Sequence, residues 1–136
     1  DVMSIIYTLL VAHFIGDFAL QSNWMALNKA KRWDALVWHV LVYVIVMNWA
    51  LIALGYQRSW PAVWFLLANA AAHFVTDAIT SRITSRLWFL PLVGQGMRPT
   101  WIQVEVKETR HWFFVAIGAD QLIHVVTLFV TAEWWL

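Results

Sequence analysis

Four apolar segments of about 20 residues each constrain this 136-residue chain more than any other feature. A helix needs about 20 mainly apolar residues to cross the hydrocarbon core of a membrane. Segments of that length and composition lie at 2–21, 35–54, 61–80 and 111–132. We therefore predict an all-α integral membrane bundle of four transmembrane helices, formed as a single domain over residues 1–136.

The composition supports a membrane protein and excludes several other classes. Hydrophobic residues make up 62% of the chain and charged residues 12%, whereas soluble domains contain about 45–50% and about 25%. The net charge of +1 gives no reason to expect nucleic acid as a partner. Because cysteine is absent, a disulfide framework, a thiolate metal site and a cysteine nucleophile are excluded.

The basic residues predict the orientation of the four helices. The second connection holds only Arg58, and the first and third connections hold the other eight. These eight are Lys29, Lys31, Arg32, Arg82, Arg86, Arg98, Lys107 and Arg110. Because cytoplasmic loops are enriched in lysine and arginine, we expect both termini outside and a long cytoplasmic loop over 81–110. Within that loop, the partial alternation of Trp101–Lys107 predicts a short strand or an interfacial segment.

Histidine and aspartate stand four residues apart in three of the four segments. The pairs are His13/Asp17, His73/Asp77 and Asp120/His124. Residues four apart lie on one helix face, with Cβ atoms about 5–6 Å apart, so each pair can direct two ligands to one centre. The second segment adds His39, with Ala35 at the position where an aspartate would complete a fourth pair.

The order within the pairs follows the direction of the helices. Histidine comes first on the two inward-running helices, and aspartate comes first on the outward-running fourth helix. All three pairs are therefore expected to place histidine toward the outside and aspartate toward the cytoplasm. The motif A-H-F-(I/V)-x-D also occurs twice, at 12–17 and at 72–77, which is compatible with a duplicated helical hairpin.

The cost of burying the aspartates points to a metal ion. One aspartate near the middle of a spanning helix costs about 2.5–3.5 kcal/mol on insertion scales. Three would cost on the order of 9 kcal/mol, which is comparable to the stability of many domains. A bound divalent cation would compensate the carboxylates directly, and imidazole with carboxylate suits zinc, with manganese or iron as alternatives.

The number of candidate ligands favours two ions. One tetrahedral zinc takes four ligands, and the segments offer seven: His13, Asp17, His39, His73, Asp77, Asp120 and His124. Two metals that share carboxylates would use this set and keep open positions for water or substrate. Asp17, Asp77 and Asp120 are the catalytic candidates, because an aspartate not fully engaged by metal can act as a general base. Neighbouring polar residues expected to hydrogen-bond the ligands are Gln21, Asn69, Ser81 and Gln121.

A family resemblance spans nearly the whole chain. It rests on the string H-F-I-G-D-F-x-L-Q from His13 to Gln21, with Trp24-Met25-Ala26 and Lys29 after it, on His73-x3-Asp77, and on the block from His111 to His124. Together these motifs resemble a family of small bacterial and phage membrane proteins of unknown function. The chain is also similar, more loosely, to membrane-bound metal-dependent hydrolases, in which histidine and aspartate on spanning helices are taken as the ligands. The resemblance implies a multi-pass protein of the bacterial inner membrane.

These observations predict a membrane-embedded, metal-dependent hydrolase of a phosphoester or lipid-like substrate. The basic residues near the cytoplasmic end, among them Arg82 and Arg86, would attract phosphate or simply follow from the topology. The alternatives are a metal-ion or proton transporter, a haem protein, and a structural or regulatory phage membrane protein. Four helices are few for alternating access, so a transporter would require a homo-oligomer. His111 lies at a helix start, where an interfacial residue is expected and a ligand is the alternative.

Overall fold

The computed structural model describes residues 2–56, 59–89 and 100–136 and shows five α-helices within them. They are α1 (Val2–Phe14), α2 (Asn23–Asn28), α3 (Trp33–Ala53), α4 (Trp60–Phe89) and α5 (Thr100–Trp135), and a π-helical turn, Ile15–Ala19, continues α1. Four stretches are long and apolar enough to cross a membrane: Val2–Ala19, Trp33–Ala53, Trp60–Trp88 and Arg110–Trp135. The all-α class and the four apolar helices are confirmed. Insertion into a membrane and the sidedness of the termini stay predictions.

The connection between the third and fourth apolar helices is more helical than predicted. Helix α4 continues to Phe89 and α5 begins at Thr100, so much of the loop expected over 81–110 is helical. Trp101–Lys107 lies within α5, and the expectation of a strand there is wrong. The physical reason is that the helix-breaking prolines and glycines of this region all lie within 90–99. Those ten residues, including Arg98, lie outside the described part of the chain.

A short helix follows the first apolar segment and determines where the first connection runs. The Ser22 hydroxyl accepts a hydrogen bond from the Met25 backbone N–H (3.2 Å), which is the usual N-cap contact. Helix α2 then runs from Asn23 to Asn28 and packs against α3. The residue that follows it, Lys29, is thereby brought back toward the interior of the bundle.

Many large apolar side chains are exposed, and several ionisable side chains are buried, which is unusual for a soluble protein. Large apolar side chains point outward, for example Trp49 at 65% exposure and Leu122 at 64%. The buried polar residues include four histidines, two aspartates and Asn69. Soluble proteins rarely bury such residues, whereas spanning helices turn their ionisable residues to the bundle interior. The burial pattern therefore agrees with lipid around the bundle.

The interior has an apolar half and a polar half. The apolar cluster contains Leu9, Ala12, Tyr43, Met47, Ala50, Leu51, Ala62, Phe65 and Leu128. On α1 and α4 these residues precede the His/Asp pairs, and on α3 and α5 they extend beyond His39 and His124. Because neighbouring helices are antiparallel, the apolar cluster fills one end of the bundle and the polar residues lie toward the other.

Asn69 links α4 to α5. It was predicted to hydrogen-bond the candidate ligands, but its described hydrogen bonds go to other residues. Its Nδ2 donates to the Thr131 hydroxyl at 2.7 Å and to the Phe65 carbonyl at 2.9 Å. Hydrogen bonds between membrane helices contribute about 0.6 kcal/mol on average and up to about 1.7. We expect Asn69→Leu to lower the unfolding free energy within that range, measured by denaturation in mild detergent. The exposed Asn48→Leu is the control, and equal stability of the two variants would contradict this role.

Candidate metal centre

A π-helical turn and a glycine bring Asp17 into contact with α3. The turn leaves the Leu20 N–H bonded to the carbonyl of Ile15, five residues earlier (2.9 Å). Gly16 lies so close to α3 that an added Cβ would be 3.1 Å from the Cα of Tyr43. The sequence predicted a regular helix to residue 21. The structure instead has a π-helical turn at Ile15–Ala19, where Gly16 packs closely against α3. Such turns occur within α-helices and are frequent at functional sites.

Four buried side chains from three helical segments form the first candidate group, Asp17, His39, His73 and Asp77. His39 Nε2 contacts both carboxylates, 3.0 Å from Asp17 Oδ1 and 3.0 Å from Asp77 Oδ2. His73 Nε2 lies 3.1 Å from His39 Nε2 and 3.4 Å from Asp17 Oδ1. One ligand atom from each residue lies within 4.8 Å of the others. These residues can hold a metal ion.

A second candidate group adjoins the first and shares Asp17 with it. It consists of Asp17, Asp120 and His124, again with ligand atoms within 4.8 Å of one another. His124 Nε2 lies 3.5 Å from Asp120 Oδ1 and 3.3 Å from Asp77 Oδ1. His124 therefore contacts a carboxylate of each group, and the two groups form one continuous cluster.

Two glutamines and a threonine orient the cluster. Gln121 Nε2 donates to Asp17 Oδ2 at 3.0 Å and to Asp120 Oδ2 at 2.9 Å. Gln21 Nε2 contacts His39 Nδ1 at 3.3 Å. The Thr80 hydroxyl is 2.5 Å from Asp120 Oδ1. Such contacts hold ligands in position at metal sites, so the predicted roles of Gln21 and Gln121 agree with the structure.

Ring stacking positions His73. The Tyr43 ring stacks on it with centroids 4.1 Å apart, and the His124 ring stacks at the same distance. Nδ1 of His73 has no hydrogen-bond partner among the residues that the structure describes. Because the histidine rings contact one another directly, the described histidines do not frame a slot for the porphyrin of the haem alternative.

Six of the seven predicted metal ligands fall within the two groups, and His13 lies beside them. His13 Nε2 is 3.9 Å from Asp17 Oδ2 and 3.2 Å from Gln121 Oε1. His39, the one predicted histidine ligand without a paired aspartate, contacts both Asp17 and Asp77. Asp34 lies one position from Ala35, where an aspartate would have paired with His39. It is at the surface and forms an ion pair with Arg32 at 2.6 Å.

Two further predicted residues lie apart from the ligand atoms. The Ser81 hydroxyl donates to the backbone carbonyl of Asp77 at 2.5 Å, not to its carboxylate. His111 is exposed.

Lys29 is the functional candidate that sequence reasoning missed. Its Nζ donates to Asp77 Oδ2 at 2.9 Å and lies 3.5 Å from His39 Nε2. The sequence placed it in a basic loop, where lysine is ordinary. The only signal was its position in the string shared with the resembling family. The basic residue Arg82, considered for phosphate attraction, instead stacks on Trp33 at 4.4 Å.

A cavity of about 580 Å³ opens beside the cluster. Its polar end is lined by Asp17, Lys29, Asp77 and Asp120, together with Gln21 and Gln121. Its apolar wall includes Phe18, Leu27, Trp88, Phe113, Phe114 and Ile117. The three aspartates line this cavity and the histidines lie behind them. This agrees with the predicted order along the helices, in which all aspartates point to one end of the bundle.

Comparison with known proteins identifies a family and no activity. The family described as "Protein of unknown function (DUF3307)" matches residues 5–136. No curated protein and no solved structure matches the chain. The resemblance to a family of unknown function is confirmed at this level, and these comparisons supply no link to the metal-dependent hydrolases.

Proposed function

Because the chain belongs to the DUF3307 family, whose function is unknown, we propose from the site itself that it is a membrane-embedded, metal-dependent hydrolase. One observation carries the proposal: two adjoining His/Asp groups share Asp17, and their carboxylates line a cavity that also has an apolar wall. Adjoining metal sites that open to a substrate cavity are the arrangement of two-metal hydrolytic enzymes.

The spacing of the first group supports a tetrahedral ion of the size of zinc. Ligand atoms 2.0–2.1 Å from a zinc ion at tetrahedral angles lie about 3.3–3.4 Å from one another. Five of the separations between ligand atoms in this group are 3.0, 3.0, 3.1, 3.4 and 3.8 Å. Manganese and iron accept the same imidazole and carboxylate ligands, so the metal identity is left to experiment.

Two carboxylates, Asp17 and Asp77, contact residues of both groups and support a second ion. Asp17 turns Oδ1 to the histidines of the first group, and Gln121 holds its Oδ2 beside Asp120. Asp77 turns Oδ2 to His39 and Oδ1 to His124. Each carboxylate thus presents one oxygen to each group, as carboxylates that bridge two metals do. We propose His39, His73, Asp17 and Asp77 for one ion and His124, Asp120 and the shared carboxylates for the other, with His13 at the edge.

The most exposed of the three aspartates that line the cavity suits proton transfer. When bound, the metals would polarise the scissile group and lower the pKa of a bound water toward about 7. Asp120 is the most exposed of the three carboxylates, at 14% of its side chain against 3% for Asp17 and 2% for Asp77. Thr80 and Gln121 hold it at the cavity wall. We propose that Asp120 would bind the second ion through one carboxylate oxygen only and act as the general base through the other. Asp17 and Asp77 would be fully engaged by metal and would position the reacting groups.

The proposed setting is the bacterial inner membrane, with the cavity in the cytoplasmic half. The positive-inside rule supports this orientation, because the cavity lies at the end of the bundle that carries Lys29 and Lys31. An apolar wall beside charged groups supports a substrate with a phosphoester or other polar group attached to an apolar chain.

Transport of a metal ion or a proton is less well supported by the packing. A transported ion needs a polar route from both ends of the bundle. The buried apolar residues Met47, Phe65 and Leu128 separate the His/Asp cluster from a second cavity of about 590 Å³, which opens at the opposite end beside Asn48, Tyr56 and Ser59. A site open at one end suits a reaction better than passage across the membrane.

Metal content and chelation test the proposed function. The protein purified in detergent without added metal is expected to contain one to two transition metal ions per chain, measured by plasma mass spectrometry. Vesicles with phosphoester lipids are then expected to release water-soluble phosphate only with metal-loaded protein, and a chelator should stop the release. Folded wild-type protein that contains no transition metal would contradict the proposal. Metal-loaded protein that releases no phosphate would contradict the hydrolase activity and support metal binding alone.

A further inference from the structure

We propose that Lys29 binds the phosphate group of an amphiphilic ligand in the cavity and selects anionic over neutral substrates. The inference rests on the proposed metal site and names the substrate class for it. It starts from the observation that the Lys29 ammonium contacts two atoms that are proposed to bind a metal ion, so the two cations would compete for them.

The two described partners of the Lys29 ammonium are both atoms of the first metal group. Nζ lies 2.9 Å from Asp77 Oδ2 and 3.5 Å from His39 Nε2. A metal ion bonded at about 2.0–2.1 Å to both atoms would lie within about 4 Å of Nζ at its present position. Two cations that close repel each other strongly in a site partly shielded from water, so Lys29 has to withdraw when metal binds.

The direction in which Lys29 can withdraw is into the cavity. Its side chain is 18% exposed and forms part of the cavity lining. It is the only lysine or arginine among the described lining residues. An ammonium without a counter-charge in such a place is unfavourable, and a phosphate oxygen would form a charge-assisted hydrogen bond with it.

The charges around the cavity match a phosphate. Three carboxylates, two divalent ions and the Lys29 ammonium together carry two positive charges. A phosphate monoester carries about −1.5 to −2 at neutral pH and would balance them. The cavity volume of about 580 Å³ lies within the roughly 300–1,000 Å³ typical of small-molecule sites. Its apolar wall, which includes Leu27, Trp88 and Phe114, suits an alkyl chain attached to that phosphate.

Binding of dodecylphosphonate tests the inference, because its carbon–phosphorus bond is not a substrate for hydrolysis. Metal-loaded full-length protein in nanodiscs of neutral phosphatidylcholine would be titrated calorimetrically with this probe, with inorganic phosphate and with dodecanol. Wild type should bind dodecylphosphonate at least tenfold more tightly than either control. Lys29→Met should weaken that binding at least tenfold, Lys29→Arg should stay within about threefold of wild type, and the exposed Lys31→Met should not change it.

Metal affinity measured on the same samples separates this inference from the proposed function. Lys29→Met is expected to bind metal at least as tightly as wild type, because the competing ammonium is gone, which also shows that the variant is folded. Full metal with unchanged dodecylphosphonate binding in Lys29→Met would overturn the role of Lys29 and leave the metal site standing. If inorganic phosphate binds as tightly as dodecylphosphonate, the ligand need not be an amphiphile and that part of the inference is wrong. If dodecanol binds as tightly, the site does not select an anion. Wild-type protein without metal would overturn both proposals.

Discussion

Replacement of Asp77 by asparagine is expected to lower the metal affinity more than 100-fold. Asp77 Oδ2 contacts His39 Nε2 and Oδ1 contacts His124 Nε2, so this carboxylate joins both candidate groups. The amide keeps the shape of the side chain but removes the negative charge and puts an NH2 donor where a ligand oxygen stood. Loss of a residue that only orients a ligand costs about 10–100-fold, and the loss of a shared ligand should exceed that range.

Asp34→Asn is the matched control for Asp77→Asn. Asp34 also lies on an apolar helix and also has a basic partner, Arg32, but both side chains are exposed. We expect its metal content and affinity to equal those of wild type, both measured by titration of the apo protein and by plasma mass spectrometry. Metal affinity within about threefold of wild type in Asp77→Asn would rule out Asp77 as a shared ligand.

Folding of the Asp77 variant needs its own check, because the substitution leaves the Lys29 ammonium without its carboxylate. The double variant Lys29→Met/Asp77→Asn removes both charges. We expect it to recover the elution profile and thermal stability of wild type without recovering metal. Recovery of metal together with stability would show that the loss in the single variant came from misfolding.

Replacement of Gly16 by alanine is expected to destabilise the fold and to loosen the metal site together. An added Cβ would lie 3.1 Å from the backbone Cα of Tyr43 and 3.4 Å from Val46 Cβ. The first of these is a backbone atom, so relief requires movement of α3 away from the π-helical turn. Overpacking of this kind costs about 1–3 kcal/mol. Because Asp17 follows Gly16 and His39 lies on α3, the 3.0 Å contact between them should lengthen.

Gly118→Ala separates this contact from the general effect of glycine on helix stability. A Cβ at Gly118 meets nothing within 4 Å, and alanine in place of glycine favours a helix by up to about 1 kcal/mol. We expect Gly118→Ala to keep or raise the thermal midpoint and to retain metal. Gly16→Ala should lower both the midpoint and the metal affinity, and if the two variants behave alike the close approach of the helices is unimportant.

The local periodicity of the chain was enough to predict most of the candidate ligands. His73/Asp77 and Asp120/His124 stand four residues apart, and a helix places such residues on one face whatever surrounds it. The length and apolarity of the segments predicted four long helices by the same local logic. The cost of burying aspartate then indicated that these faces must meet inside the bundle.

Features that depend on contacts between distant segments could not be predicted. The π-helical turn at Ile15–Ala19 arises where Gly16 packs against Tyr43, which is 27 residues further along the chain. Lys29 was counted as a loop residue because nothing near it in sequence shows that α2 turns it toward Asp77.

Helical geometry relates residues three or four apart, so the order of residues was enough to predict which side chains share a helix face. Which of these faces meet depends on the packing of the helices. That packing brings His39 into contact with Asp17 and Asp77, leaves Asp34 at the surface, and sets the Lys29 ammonium against Asp77. Such contacts join residues from 18 to more than 100 positions apart in the chain, which no local pattern encodes.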